Sequence, residues 1–248
     1  MCGVASSVHL YQTQGMQAGA DLLVWSALDS AAPEVPARFF GGYAAALWPL
    51  RGYATQRDVL WGFTRPSQYT KVRSTQEIDP FAVQRSPYLV MYPFVKTTDW
   101  YLKSREERQE MMGAHIKVGK QYPDITQLLL YSFGVQDQEF VVVYETTDLL
   151  RFSSLVSDLR GTEARRYTQR DYPLYTGIFQ PDTQALDAWL GPPPRTCRHS
   201  SAPRADKRST RRPSGSCVRR DGICRSIARF ALGTPSLRSV RCPPSPRR

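Results

Sequence analysis

From residue 86 onward the apolar positions switch repeatedly between a two-residue and a 3.6-residue period. Residues 88–97 (YLVMYPFVKT) are rich in Tyr, Val and Phe, which fit a pleated surface, and predict a strand. Ser104 and Glu107 form an S-x-x-E signature: the serine hydroxyl accepts from the Glu107 N–H, and the glutamate reaches back to the Ser104 N–H. The helix that starts there runs to about Lys120, with basic residues in its last turn complementing the dipole. Tyr122-Pro123-Asp124 ends it. A strand over 127–133, a turn at 134–137 and a strand over 138–145 (QEFVVVYE) make a hairpin. Leu149, Phe152, Leu155, Val156 and Leu159 recur at helical spacing and predict a helix over 148–160. Residues 174–179 add a closing strand.

That order, β-α-β-β-α-β, is the split unit of ferredoxin-like folds. The first half repeats part of it. Residues 8–13 and 20–26 predict strands, 36–48 a helix, and 58–63 contain a further strand, giving β-β-α-β. An internal repeat decides the fold class. We expect an α+β protein in which two ferredoxin-like repeats, at 6–80 and 86–180, pack sheet to sheet as a dimeric α+β barrel able to hold a flat ligand. The first repeat is N-terminally truncated, lacking its first strand and helix. Either Met1 is an internal codon of a longer gene, or the repeat is shortened and exposes an edge strand.

The 248 residues, 41% hydrophobic, suffice for one large domain or two small ones. Charge alters the picture only at one end. Residues 192–248 carry 15 Lys+Arg against 2 Asp+Glu, whereas the first 191 carry 18 against 20, so the net +11 belongs to the tail. The tail also holds 9 of the 19 prolines and four of the five cysteines, Cys197, Cys217, Cys224 and Cys242. Their spacing contains no C-x-x-C pair, so zinc has little support. Such text cannot bury enough surface to offset its ordering entropy and predicts disorder. A basic arm binding nucleic acid non-specifically is the functional alternative, and translation from a shifted frame after Leu190-Gly191 is a third. No specific nucleic-acid site is expected in the body. No apolar run reaches the ~18–20 residues of a membrane span, and residues 1–5 lack signal-peptide features. We therefore expect a cytoplasmic protein.

Candidate chemistry is sparse. Of three histidines, His199 lies in the tail and His9 at the ragged start of the first repeat, which leaves His115 as the credible metal ligand. Met111, Met112, His115 and Val118/Gly119 share one helix face. That face could be covered by a porphyrin, or His115 could be a core-edge histidine with a satisfied hydrogen bond. The methionines read more simply as core than as catalytic.

Several ordered segments carry a resemblance: Tyr92-Pro93-Phe94-Val95-Lys96, Trp100-Tyr101, Arg108-x-x-Met111-Met112-x-x-His115-x-x-Val118-Gly119, Tyr131-Ser132-Phe133-Gly134-x-x-Asp137-x-Glu139-Phe140, and Leu159-Arg160-x-Thr162-Glu163-x-Arg165-x-Tyr167. Together they resemble the chlorite dismutase-like family over residues 6–179, strongly from Tyr88 on. The resemblance implies a two-repeat barrel, usually a homopentamer, binding haem b or coproheme (iron coproporphyrin III) in the second repeat. It makes His115 the proximal iron ligand and Glu163 the carboxylate that fixes its tautomer. Tyr92 matches the redox tyrosine of the decarboxylases. In those enzymes peroxide oxidises the bound coproheme, and a tyrosyl radical takes hydrogen from a propionate, whose carboxyl leaves as carbon dioxide. Lys96, on the same strand face, matches a lysine that pairs with a propionate. Trp100 matches a tryptophan by the porphyrin edge, with plain core packing as its alternative. Arg165 and Tyr167 are candidate propionate contacts; an arginine fork suits a carboxylate but is also common on solvated faces.

One distal position separates the subfamilies. Chlorite-degrading members carry Arg there, and some decarboxylases carry Gln. Counting back from Gly134 puts Gln127 at this place, whereas counting forward from His115 puts Leu128 there. The Gly134 anchor is preferred because a strand cannot slip by one without reversing its faces, while the loop at Pro123 can lose a residue. Neither count gives Arg. The implied function is hydrogen peroxide-dependent decarboxylation of coproheme to haem b. A chlorite dismutase or haem peroxidase, and a non-catalytic haem-binding protein, are the alternatives.

Overall fold

The computed structural model describes residues 7–29, 32–69 and 74–185; the tail from 192 on lies outside them. The chain order is β1 (Ser7–Gln12), β2 (Leu22–Ala27), α1 (Val35–Leu47), β3 (Tyr88–Lys96), α2 (Thr98–Leu102), α3 (Arg105–Gly119), β4 (Thr126–Tyr131), β5 (Phe140–Thr146), α4 (Leu149–Arg160), β6 (Thr168–Arg170) and β7 (Tyr175–Gln180). One sheet runs β2-β1-β7-β3-β5-β4, with β6 beside the end of β3, and every pairing between these strands is antiparallel.

Local signals set the elements of the second half. The Ser104–Glu107 box forms, with Ser104 Oγ accepting from the Glu107 N–H at 3.2 Å and Glu107 Oε2 from the Ser104 N–H at 2.9 Å. Asp148 caps α4 by accepting from the N–H groups of Leu150 and Arg151, an arrangement that stabilises a helix by about 1 kcal/mol. Gly134 turns the β4–β5 connection at φ +72°, where a side chain would be strained. Pro93 has no N–H to give. It sits where β3 is paired on one side only, between the last β7 partner at Met91 and the first β6 partner at Val95.

Alternation divides the sheet into two faces. Val90, Val142 and Tyr144 pack with Tyr122, Ile125, Phe152 and Leu155 under α4, and Tyr92, Phe94 and Leu129 border this cluster. On the opposite face Leu89, Leu128 and Val143 join Tyr11 and Ile78, with Leu23, Trp25, Met91 and Leu130 around them. This second core brings β1 and β2, at one end of the strand order, against β4 at the other, so the sheet curls around it. Set into it is a buried ion pair, Arg85 Nη1 to Glu145 Oε1 at 3.5 Å, and the Tyr11 hydroxyl donates to the same carboxylate oxygen at 3.3 Å. Burial pushes the Glu145 carboxyl up, and Arg85 works against that.

The strand expected within 58–63 does not form. Phe63 alone makes a bridge, to Tyr131. Side chains hold the rest of the segment: the Gln136 amide donates to Val59 O and accepts from the Trp61 N–H, and the Ser132 hydroxyl donates to Trp61 O. A Cβ on Gly62 would come within 2.7 Å of Tyr131 O, so the backbone passes too close there for any other residue. Among the described residues the first half is thus β-β-α followed by an irregular strap.

Candidate functional site

The site begins with the helix α3. α3 packs against α4 and the 3-10 turn Glu163–Tyr167, and none of its residues is fully buried. Met111, Met112, His115, Ile116 and Val118 line its flank, and most of them are half-buried. These side chains flank His115 with apolar groups that remain partly accessible.

His115 projects from this helix toward the start of the 3-10 turn. Its Nδ1 lies 3.1 Å from the Thr162 hydroxyl. Burial, reinforced by the Lys96 ammonium, pushes the imidazole down to about 4, so the ring is neutral at ordinary pH. Its Nε2 makes no hydrogen bond among the described residues. A neutral imidazole with one nitrogen tethered and the other free is the form that binds a metal.

The carboxylate expected to orient this ring is not the group beside it. Glu163 is half-exposed and pairs with Arg166 at 3.5 Å. The 3-10 geometry turns Thr162, not Glu163, toward His115. Thr162, rather than the expected Glu163, is the hydrogen-bond partner of His115 in this structure.

The other expected residues divide into two groups. Tyr92 stands on the helix-side face of β3, stacked on Tyr144 with centroids 6.2 Å apart. Burial pushes its phenol up, the neighbouring Tyr144 hydroxyl works the other way, and Asp171, Arg160 and Arg165 contribute to its field. Arg165 Nη1 and Arg160 Nη2 both hold Asp171 Oδ2, at 2.9 and 3.2 Å. Asp171 thus bridges the two guanidinium groups.

Lys96 ends the same strand. Its Nζ donates to Ala164 O at 3.1 Å and lies 4.7 Å from the Trp100 ring centre. Burial and Arg165 lower this amine to about 8, against the opposing pull of Glu139. Trp100 is 3% exposed and packs on Tyr167 at 5.7 Å, which is the core reading of that residue. Trp100 thus lies between Lys96 and Tyr167.

Register settles which residue of β4 faces Tyr92. Gln127 pairs with Tyr144 and so lies on the Tyr92 face, exposed at the strand start. Leu128 points into the opposite core. Of the two counted positions, the one counted from Gly134 shares its face with Tyr92. His9 is a core residue, 8% exposed against Trp25 and Phe179, with Nε2 3.2 Å from Pro80 O. Sequence reading also missed Gln76, whose amide donates to the carbonyls of Gly119, Tyr122 and Ile125 where α3 ends.

Comparison with known proteins gives a consistent neighbourhood. The profile of the family described as Chlorite dismutase matches residues 3–180. A coproheme decarboxylase of Mycolicibacterium smegmatis is 30% identical over 175 residues, covering 68% of this chain and 71% of that protein. A coproheme decarboxylase of Staphylococcus saprophyticus is 38% identical over 84 residues, covering 32% of this chain and 34% of that protein. Among solved structures, the chlorite dismutase of Candidatus Nitrospira defluvii in complex with imidazole matches with TM-score 0.62 at 20% identity, covering 75% of this chain and 79% of that one. At that identity the match speaks for the fold alone.

Proposed function

The chain belongs to the chlorite dismutase family, in its coproheme decarboxylase branch, and from that premise we propose that it converts coproheme to haem b with hydrogen peroxide by removing two propionate carboxyl groups. The observation that carries this reading is the pairing of a free, neutral His115 Nε2 with a carboxylate-binding set, Lys96, Arg160 and Arg165, around Tyr92.

The residues fit an iron porphyrin. Among the described residues no group of three or more His, Cys, Asp or Glu gathers that could hold a metal ion. A lone imidazole would suit an iron whose remaining ligands are supplied by a macrocycle rather than by the chain. When bound, coproheme supplies both the iron that reacts with peroxide and the propionates that are lost. The chain holds and orients it. His115 ligates from α3, Lys96 and Arg165 bind propionate carboxylates, and Gln127 offers an uncharged amide on the Tyr92 face. Tyr92, kept protonated by burial, has a hydrogen atom to give and take back beside the propionate. The uncharged side chain at Gln127 favours this reading over chlorite decomposition.

By the same family membership the working unit is a cytoplasmic homo-oligomer, a pentamer, in which the two halves form ferredoxin-like repeats of one barrel. Among the described residues no helix is long and apolar enough to cross a membrane.

Peroxide titration of the coproheme complex, followed by mass analysis of the porphyrin, tests the activity. Two successive losses of about 46 Da are expected from the covalent chemistry of the substrate. Oxygen release from chlorite with no such losses would identify a dismutase, and an unchanged porphyrin a non-catalytic binder.

Lys96 gives a pH-dependent prediction. Its amine is lowered to about 8 in the ligand-free site, and a bound carboxylate favours the ammonium. Just above pH 8 the free site is largely unprotonated and the complex protonated, so binding takes up a proton. Affinity is therefore full below about 8 and declines as pH rises past it. Calorimetry in two buffers of different ionisation enthalpy reads that proton. Lys96→Met is expected to abolish the uptake and weaken binding about tenfold, the scale of one hydrogen bond to a charged group.

A further inference from the structure

We propose that Thr162 is the positioning residue of the site: its hydroxyl fixes His115 as the Nδ1–H tautomer, and so aims the Nε2 lone pair at the ligand. This rests on the reading of His115 as iron ligand.

Counting hydrogens sets the direction of the bond. Thr162 Oγ1 lies 2.7 Å from Leu159 O, in the last turn of α4, and 3.1 Å from His115 Nδ1. A carbonyl can only accept, so the single hydroxyl hydrogen goes to Leu159 O. Only lone pairs remain to face His115, and its Nδ1 must therefore donate. With Nδ1 bare, two lone pairs would oppose each other at hydrogen-bond distance. The hydroxyl cannot easily be withdrawn either. The Thr162 N–H donates to Leu159 O at 3.1 Å, and Thr162 O accepts from the Arg165 N–H at 3.0 Å, so its backbone is pinned on both sides. A β-branched side chain on a pinned backbone has few rotamers. The acceptor is therefore a neutral hydroxyl, with Glu163 turned outward to Arg166. Such a partner pulls less on the Nδ1 hydrogen than a carboxylate would and leaves the imidazole a weaker electron donor.

The ligand-free full chain tests this without turnover. With histidine labelled in nitrogen-15, long-range proton–nitrogen correlation distinguishes the two neutral tautomers. The signals of His115 are those absent from His115→Ala. Wild type is expected in the Nδ1–H form, and Thr162→Ser and Glu163→Gln should keep it. Thr162→Val, which retains shape and loses the hydroxyl, should shift the ring toward the Nε2–H form that free imidazole side chains prefer. Wild type in the Nε2–H form would overturn the proposal, and so would a switch produced by Glu163→Gln but not by Thr162→Val. A second readout is coproheme affinity, expected to fall about tenfold in Thr162→Val and to recover in Thr162→Ser, as for other partners of a ligating histidine. The ligand reading fails separately: coproheme binding in His115→Ala as tight as in wild type would remove it while leaving the tautomer result standing.

Discussion

His115→Ala is expected to leave a folded protein that binds coproheme at least ~100-fold more weakly, since even the outer partners of a metal ligand account for 10–100-fold. The fold survives for identifiable reasons. Alanine is the best helix former and sits here in the interior of α3. The substitution removes the hydrogen bond to Thr162, about 1 kcal/mol, and the Thr162 hydroxyl keeps Leu159 O as its acceptor. His115 belongs to neither hydrophobic core, so the truncation removes no side chain from either of them. Decarboxylation should disappear with the ligand, and added imidazole should restore part of the binding by entering the vacated space. Absorption titration with coproheme, beside a thermal melt of the ligand-free variant, separates lost ligation from lost fold. An unchanged affinity would show that the iron is held by something else.

Tyr92→Phe should produce the opposite division: binding close to wild type, with the first decarboxylation slowed at least ~10³-fold, the scale on which loss of a group touching the reacting atoms is felt. The substitution deletes one hydroxyl. The ring keeps its stacking on Tyr144 and its place beside the α4-side core. The cost to stability is about 1–3 kcal/mol, because the buried Tyr144 hydroxyl loses its neighbour. Burial makes the hydroxyl suited to its task. It holds the phenol above its ordinary value, so the group carries its hydrogen throughout the neutral range and gives it up only when oxidised. A single-turnover peroxide experiment on the variant, read by porphyrin mass, checks this. Formation of haem b at the wild-type rate would remove Tyr92 from the chemistry.

What could be read from the sequence is what local chemistry encodes. The S-x-x-E box, the Pro123 stop and the Tyr, Val and Phe content of 88–97 each specify their element within a few residues, and α3 and β3 lie where those signals put them. The two counts for the distal residue differed by one position, and a strand assigns neighbours to opposite faces. The pairing of Gln127 with Tyr144 puts that residue on the Tyr92 face, and Leu128 on the other. Illegible were elements too short for their period to repeat twice: α2, the 3-10 turn Glu163–Tyr167 and β6. The strap at 58–63 reads as a strand because Val59, Leu60, Trp61 and Phe63 are apolar. Its course is decided instead by Ser132 and Gln136, more than 70 residues away. The partner of His115 was missed for the same reason. Thr162 and Glu163 are adjacent in the motif, and only the turn that follows them determines which one faces a ring 47 residues earlier.

The whole assignment of the site depends on a bond from His115 Nε2 to the iron of bound coproheme. Resonance Raman spectroscopy of the ferrous complex observes it directly through the iron–histidine stretch. The expected band shifts on nitrogen-15 labelling of histidine and vanishes in His115→Ala. A band that survives in His115→Ala, or a wild-type complex with no histidine-sensitive band, would contradict that bond.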